Sequence, residues 1–388
     1  MLRLAWIFTF IALLLYSFTQ IDLSLTFSRA SFVQAFEKAF QVVGYFNRPL
    51  STGLFLGIVL LLFILYVVTL ILIVKKKVQE REVRWIILAG AIILLFSYNA
   101  FSYDFFNYMF AAKQIVHYHV NPYQFAPWDM LGDPMLSFMH SVDKVYVYGP
   151  LSLVFSAPLY VLGFGYLLPT FYLFKAFAAL SYLGCVWAIY KILKKEKPHH
   201  ALFGAAFFGL NPLVLIEGLV SAHNDIPMMC LALLATWALF ERKWLWSLVL
   251  LSASFLTKQV TVFLIPIFLL QLIPLVRKRV SFYWFILLCI GLQTVGGWFV
   301  LQQREMQPWY FLWLLPFIAL LPISILLTIT TIGVSLGLLL RYVSFLYFGN
   351  WDQMAMLRVQ TTEYTPLIFL GVGILAESIL WFWRKKRK

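Results

Sequence analysis

The chain has 388 residues, of which 62% are hydrophobic and 12% are charged, and its formal net charge is +14. Ordinary soluble domains carry about 25% charged and about 45–50% apolar residues, so this composition excludes a soluble globular protein and predicts a polytopic membrane protein. The cysteines all lie inside apolar runs, which predicts neither a disulfide framework nor a zinc site. They are Cys185, Cys230 and Cys289.

Taken in chain order, the apolar runs predict an all-α bundle of about 12–13 spanning or half-spanning helices, since a full span needs about 20 apolar residues. The first run lacks a small-x-small cleavage site, so we expect an uncleaved helix in place of a signal peptide. The predicted runs are 4–20, 51–74, 85–101, 149–166, 168–193, 201–220, 226–240, 244–258, 260–276, 280–300, 310–323, 324–346 and 364–383.

Basic residues are concentrated in Arg3 and in five short clusters. The positive-inside rule places these clusters, and with them both termini, on the cytoplasmic side of a plasma membrane. The positive charge is then a topology signal beside anionic lipid, and no nucleic-acid partner is predicted. The clusters are 75–84, 191–200, 241–243, 277–279 and 384–388.

This orientation allows a single net crossing between residues 149 and 193, where two apolar runs occur. We expect 149–166 to be a re-entrant or half-spanning element, because its two prolines suit a broken segment. The whole chain is predicted to form one integral-membrane domain. Its parts are N-terminal helices (1–101), an outer loop with interfacial helices (102–148) and the remaining bundle (149–388).

Asp104 lies near the start of the stretch SYDFFNYMFAAKQIVHYHVNPY (102–123), directly after the third predicted span and beside Tyr103 and Asn107. A carboxyl group that is shielded by aromatic rings acquires a raised pKa and suits proton abstraction from a hydroxyl. Equally, Asp104 is placed to act as the N-cap of an amphipathic helix lying on the membrane. In the next motif, YVYGPL, Gly149 and Pro150 predict a tight entrance to a helix.

The segment GLVSAHNDIPMM forms a very short turn between two predicted spans. His223 and Asp225 suit metal ligation or hydrogen bonding to sugar or phosphate, and Asp225 also suits capping of the next helix. A dependable metal site needs a third ligand at a defined spacing. No metal or other cofactor is therefore predicted, although a divalent cation stays possible.

Two cations follow at predicted outer helix ends. Lys258, in FLTKQVTVFLIP, suits either snorkelling to the interface or neutralising a phosphate. Arg304, in QQREMQPWYFLWLLPF, suits bidentate phosphate binding or pairing with the adjacent Glu305. Trp309 and Tyr310 begin an aromatic segment expected to line a groove for a lipid tail. A base, phosphate partners and hydroxyl ligands on one membrane face together indicate transfer from a lipid phosphate to an alcohol.

The motifs SYDFFNYMFAAKQIVHYHVNPY, YVYGPL, HNDIPMM, LTKQ and QPWYFLWLLPF, which span about 100–320, resemble the integral-membrane glycosyltransferases of the GT-C superfamily. Among these, they are most similar to bacterial polyprenyl-phosphate-mannose-dependent mannosyltransferases of the cell envelope. The resemblance implies inverting, nucleotide-sugar-independent transfer of a hexose, expected to be mannose. The implied partners are a polyprenyl-phosphate-sugar donor, a glycan or lipid-linked acceptor and membrane lipid. The implied active site faces outward.

The resemblance also implies roles for individual residues. Asp104 corresponds to the family's base and Lys258 to the lysine that holds the donor phosphate, while the His-Asn-Asp group corresponds to sugar or acceptor ligands. Residues 21–50, which look partly amphipathic, are expected to help the outer loops recognise the acceptor. The full expected substrate-binding set is Tyr103, Asn107, Tyr148, His223, Asn224, Asp225, Lys258, Arg304, Trp309 and Tyr310.

Two other classes of function compete with an enzyme. A lipid or glycan transporter places polar groups near the bilayer midplane and often has repeated halves. Here the polar groups fall at one face and the sequence shows no internal repeat. A membrane protein that binds a lipid-linked sugar without catalysis is the second rival, and an activity assay separates it from an enzyme.

Overall fold

A computed structural model describes residues 1–350 and 355–386 of the chain, and these form helices and irregular segments with no strand. The predicted all-α architecture is therefore confirmed. The helices before the first long loop are α1 (Leu2–Ser17), α2 (Ser31–Gln41), α3 (Arg48–Val74), α4 (Glu80–Leu95) and α5 (Asp104–Val116). Those after it are α6 (Pro150–Leu162), α7 (Leu167–Glu196), α8 (Ala201–Gly209), α9 (Asp225–Phe240), α10 (Trp244–Thr257), α11 (Ile265–Leu272), α12 (Pro274–Arg279), α13 (Phe282–Leu301), α14 (Leu315–Ile318), α15 (Ile325–Phe348) and α16 (Ala355–Lys386).

Within the described residues, six helices are long and apolar enough to cross a membrane, which confirms the polytopic class. Shorter apolar helices fill the bundle between them, including α6, α9 and α10. The six candidate spans are Leu2–Gln20, Arg48–Val74, Leu167–Glu196, Phe282–Leu301, Ile325–Phe348 and Met356–Trp381.

The predicted span 201–220 is broken in the middle. The α8 segment and the π-helix Val214–Val220 meet at 62°, because Asn211 and Pro212 interrupt the helical hydrogen bonds. The Asn211 side chain instead accepts a bond from the Leu213 N–H at 2.9 Å. Run 260–276 is similarly divided, and prolines lie at or near the start of its α11 and α12 pieces.

The bundle has two chemically different ends. At one end the basic loops meet: Lys195 pairs with Glu241 at 3.1 Å, and Arg3 pairs with Glu82 at 3.5 Å. At the other end, which we call the Asp104 face, the start of α5 meets the start of α9, the end of α10 and the loop before Pro308–Trp313. The fold thus separates the basic clusters 75–84, 191–200, 241–243 and 277–279 from the candidate site residues, while the side chains of 384–388 lie outside the described part of the chain.

Helix α6 starts and ends at the Asp104 face. Its 13 residues are about 20 Å long. At its start, Gly149 donates a backbone hydrogen bond to Thr257 at the end of α10. At its end, Gly163 contacts Thr170 in the first turn of α7, whose opposite end carries Lys195. This is the arrangement expected for a helix that does not cross the membrane.

Helix α5 is packed inside the protein. Its N-cap is Tyr103 and no side chain caps it, so the alternative in which Asp104 is the cap is wrong. Most of its side chains are buried on several sides of the helix, which differs from a helix lying on a membrane surface. The buried residues are Phe105, Phe106, Tyr108, Met109, Phe110, Ala111, Ala112 and Gln114.

Gly149→Ala is expected to lower the stability of the folded protein by about 1–3 kcal/mol, the usual cost of overpacking. A Cβ at Gly149 would lie 2.1 Å from the Leu256 carbonyl oxygen, which cannot move without shifting the end of α10. Gly53→Ala is the matched control, because no atom lies within 4 Å of a Cβ at that position. Thermal unfolding in detergent checks this; equal midpoints for the two variants would contradict the packing.

Candidate active site

Lys258 is held by a buried carboxylate. It follows the last residue of α10 in an extended conformation, and its Nζ donates to both oxygens of Asp225 at 2.8 and 2.9 Å. Asp225 is completely buried and also accepts a hydrogen bond from Trp313 Nε1. Only 14% of the Lys258 side chain is exposed, so it does not snorkel to the surface.

Asp104 lies close to this ion pair. Its Oδ2 accepts a hydrogen bond from the Tyr148 hydroxyl at 3.1 Å, and the Tyr148 ring centre lies 5.3 Å from Lys258 Nζ. Burial raises the pKa of Asp104 above its ordinary value, although the Lys258 ammonium and the Tyr148 hydrogen bond act in the opposite direction. Tyr123 fixes the Tyr148 backbone by donating its hydroxyl to the carbonyl at 2.8 Å.

Three cavities meet at Asp104. The first, which we call the apolar cavity, measures about 350 Å³ and contains Lys258 and Arg304 beside Asp104. Its remaining wall comes largely from the segment after Lys258 and from α13. The apolar side chains of that wall are Val260, Val262, Phe263, Phe299 and Val300.

The second, or polar, cavity measures about 540 Å³ and shares Asp104 and Arg304 with the apolar cavity. Its lining is rich in amides: Asn107, Gln114, Gln303 and Gln307. The third measures about 320 Å³ and is lined by Tyr103, His140 and Arg341, among others. Trp309 lines all three cavities, and Tyr310 lines the first two.

The predicted pairing of Arg304 with its neighbour Glu305 is wrong. Glu305 instead pairs with Arg341 on α15 and with Arg358 on α16, the latter at 3.4 Å. In residues 1–350 and 355–386, Arg304 forms no ion pair, and it faces the two cavities that contain Asp104. Its guanidinium acts electrostatically on the Asp104 carboxyl without forming a salt bridge to it.

The His-Asn-Asp turn lies behind the cavities, and none of its three residues lines them. The His223 ring stacks on Trp309 with ring centres 4.1 Å apart, and burial lowers its pKa well below the ordinary value. Asn224 Oδ1 accepts from the Tyr108 hydroxyl at 3.4 Å. The alternative in which Asp225 caps α9 is wrong, because Asn224 is the N-cap and Asp225 instead holds Lys258.

Within residues 1–350 and 355–386, the structure offers no cluster of side chains that suggests a metal site. Across the described residues, no group of three or more His, Cys, Asp or Glu side chains is placed to hold an ion. His223 Nε2 lies 3.3 Å from Glu217 Oε2, and the other oxygen of Glu217 accepts from Tyr342. His223, which stacks on Trp309, is thus in contact with the buried Glu217 carboxyl group.

The sequence motifs did not include Lys175, which the structure places beneath the His-Asn-Asp turn. Its Nζ donates to Ser97 Oγ at 2.9 Å and to the Val220 carbonyl at 2.8 Å, and it also contacts the Leu219 carbonyl. The ammonium thus binds the end of the π-helix that leads into the turn. The sequence feature that could have identified Lys175 is its position as a single lysine within an apolar span.

The fold and the site define a polytopic membrane protein in which a carboxylate, an ammonium and a guanidinium face shared cavities, an arrangement suited to acid–base chemistry beside an anion. Residues 10–274 match the family described as the alpha-(1->6)-mannopyranosyltransferase N-terminal domain, and the chain belongs to this family of GT-C type mannosyltransferases. No curated protein and no solved structure matches the chain.

The family match confirms the predicted superfamily and the mannosyltransferase class. It contains Asp104, Tyr148 and Lys258, together with the preceding chain from residue 10 onward. Arg304 and Trp309 follow the matched segment, so their place in the site is given by the structure alone.

Proposed function

We propose that this mannosyltransferase moves mannose, with inversion, from a polyprenyl-phosphate donor to a glycan or lipid-linked acceptor on the extracytoplasmic face. The observation that carries the proposal is the position of Asp104. It is shared by an apolar cavity that contains two cations and by a polar cavity lined with amides. A base between a phosphate-binding region and a sugar-binding region is what glycosyl transfer needs.

The donor is assigned to the apolar cavity. Lys258 and Arg304 provide hydrogen-bond donors for its phosphate, and Arg304 does so without being held in a salt bridge, whereas Lys258 is already paired with Asp225. The apolar wall formed by α13 and the segment after Lys258 suits the first isoprene units of the lipid. As the sugar leaves, fixed cations stabilise the charge that develops on the phosphate.

The acceptor is assigned to the polar cavity. Asn107 lies one helical turn after Asp104 and lines this cavity, so its amide group is placed to hydrogen-bond a sugar hydroxyl. The acceptor oxygen attacks the anomeric carbon and passes its proton to Asp104, while the bond from that carbon to the phosphate oxygen breaks. Attack from the cavity opposite the phosphate inverts the anomeric configuration.

The extracytoplasmic location is supported by the two ends of the bundle. The described basic clusters between residues 75 and 279 meet at the end away from Asp104, where Lys195 pairs with Glu241. Because basic loops are retained in the cytoplasm, the Asp104 face is assigned to the outside. A sugar linked to a lipid in the outer leaflet can serve as the donor there, so the reaction needs no nucleotide-activated sugar.

Donor choice tests the proposal directly. Purified protein in liposomes is given either a polyprenyl-phosphate mannose or a nucleotide-activated mannose, with an oligomannoside acceptor. We expect transfer from the lipid donor alone, with inversion seen by NMR of the product. Transfer from the nucleotide sugar, retention of configuration, or passage of intact lipid donor across the bilayer without transfer would each contradict the proposal.

Tyr148→Phe is expected to shift the acidic limb of the pH–rate profile to higher pH. The reaction needs the ionised form of Asp104, so the rate falls as pH drops through the pKa of that group, which burial has already raised. The Tyr148 hydrogen bond favours the carboxylate, and its loss raises the pKa further. Profiles of kcat/KM for the two proteins check this; a shift to lower pH would contradict it.

A further inference from the structure

Helix α2 is amphipathic in the reverse sense to a helix of a soluble protein. Its polar side faces the protein: buried Glu37 accepts from the Phe27 N–H at 2.8 Å, and Gln41 donates to the Asp22 carbonyl at 3.1 Å. Its apolar side faces outward and continues past its end through the π-helix Val42–Phe46. The side chains of this exposed stripe, at helical spacing, are Phe32, Ala35, Phe36, Ala39, Val42 and Phe46.

The exposure is large for aromatic side chains, since Phe32 is 76% and Phe46 is 74% exposed. A stripe of this kind in contact with water costs roughly 25 cal/mol per Å² of apolar surface. Soluble protein surfaces rarely present such contiguous patches. We therefore expect the stripe to be covered by an apolar partner and not by water.

The level of α2 along the bundle is fixed by the ends of two membrane-spanning helices. Phe36 packs edge-on against Phe18, which follows α1, with ring centres 5.4 Å apart. Gly44 lies so close to the chain at Thr19 that a Cβ would come 1.7 Å from the Thr19 carbonyl oxygen. The next span, α3, begins at Arg48. The stripe is thus held where two spans leave the hydrocarbon.

We propose that the stripe of α2 and Phe46 is a lipid-contact surface, lying in the plane of the membrane with its aromatic rings at the boundary of headgroups and acyl chains. Lys38, which is exposed beside the stripe, then reaches the phosphates of the lipid headgroups. The polar side of α2 connects this surface to the active site: Asp22, which accepts from Gln41, also accepts from the Tyr103 hydroxyl at 3.0 Å. The proposal does not depend on the identity of the sugar donor.

Spin labels test the surface in the full-length protein. Single cysteines replace Phe32, Ala39 or Lys38 in a variant in which the three native cysteines are alanines, and each protein is placed in vesicles of phosphatidylglycerol and phosphatidylethanolamine. The accessibility of each label to oxygen, which concentrates in lipid, is compared with that to a water-soluble nickel complex. Retained mannosyltransferase activity shows that each labelled protein is folded.

We expect labels at positions 32 and 39 to be several-fold more accessible to oxygen than to nickel, and the label at position 38, on the polar margin, to show the reverse preference. Equal nickel access at all three positions would overturn the proposal, because the stripe would then face water. Loss of access to both reagents, with dipolar broadening at position 32, would also overturn it, because a second copy of the chain would then cover the stripe.

Discussion

Asp104→Asn is expected to lower the rate of mannose transfer by about 10²–10⁴-fold, the usual contribution of a general base. The amide keeps the size of the side chain and still accepts the Tyr148 hydrogen bond, but it cannot take the acceptor proton at neutral pH. Donor affinity should change little, because Lys258 and Arg304 remain. The measurement is initial rate in proteoliposomes, with donor binding determined separately.

Asp143→Asn is the matched control for this variant. Asp143 is an exposed carboxylate in the loop between α5 and α6, and it lines none of the three cavities around Asp104. Its removal should leave the rate within about twofold, since surface substitutions of this kind are usually small in effect. Near-normal transfer by the Asp104→Asn protein would show that Asp104 is not the base.

Lys258→Met is expected to reduce kcat by about 10²–10³-fold, the effect seen when one preorganised donor to a developing charge is removed. It should also destabilise the protein, since Asp225 would be left buried and charged with Trp313 as its remaining side-chain partner. Breaking a buried pair in this way costs about 3–5 kcal/mol. Activity and thermal unfolding must therefore be measured together.

The double variant Lys258→Met with Asp225→Asn separates the two effects. Removing both charges relieves the unpaired carboxylate, so stability should recover while activity stays low. Asp225→Asn alone should retain more activity than Lys258→Met, because the ammonium is still present although less firmly placed. Recovery of activity along with stability in the double variant would show that Lys258 has only a structural role.

Most of the fold was predictable because the bilayer restricts the chain to helices of a limited length. The predicted runs 51–74 and 324–346 agree with α3 and α15 to within a few residues. The prediction of a span at 310–323 was wrong: the chain there forms the short helices Pro308–Trp313 and Leu315–Ile318, each with a proline in its first two residues. Hydropathy alone does not separate a buried broken segment from a crossing.

The site was predictable in part. Asp104 and Lys258 were found because charged residues at the ends of apolar runs are costly and conspicuous. Their partners were not, because Asp225 and Lys258 are 33 residues apart and their pairing depends on how α9 packs against α10. For the same reason the sequence left open a pairing of Glu305 with the adjacent Arg304, whereas the fold brings Arg341 and Arg358 to Glu305.

In the proposed mechanism Asp104 faces the acceptor while Lys258 and Arg304 bind the donor phosphate. A cryo-EM structure of the Asp104→Asn protein with a polyprenyl-phosphate mannose tests it most directly. We expect the phosphate within hydrogen-bond distance of Lys258 and Arg304, the tail along α13, and the anomeric carbon beside position 104 and facing the polar cavity. Phosphate bound away from both cations, or a sugar remote from position 104, would contradict it.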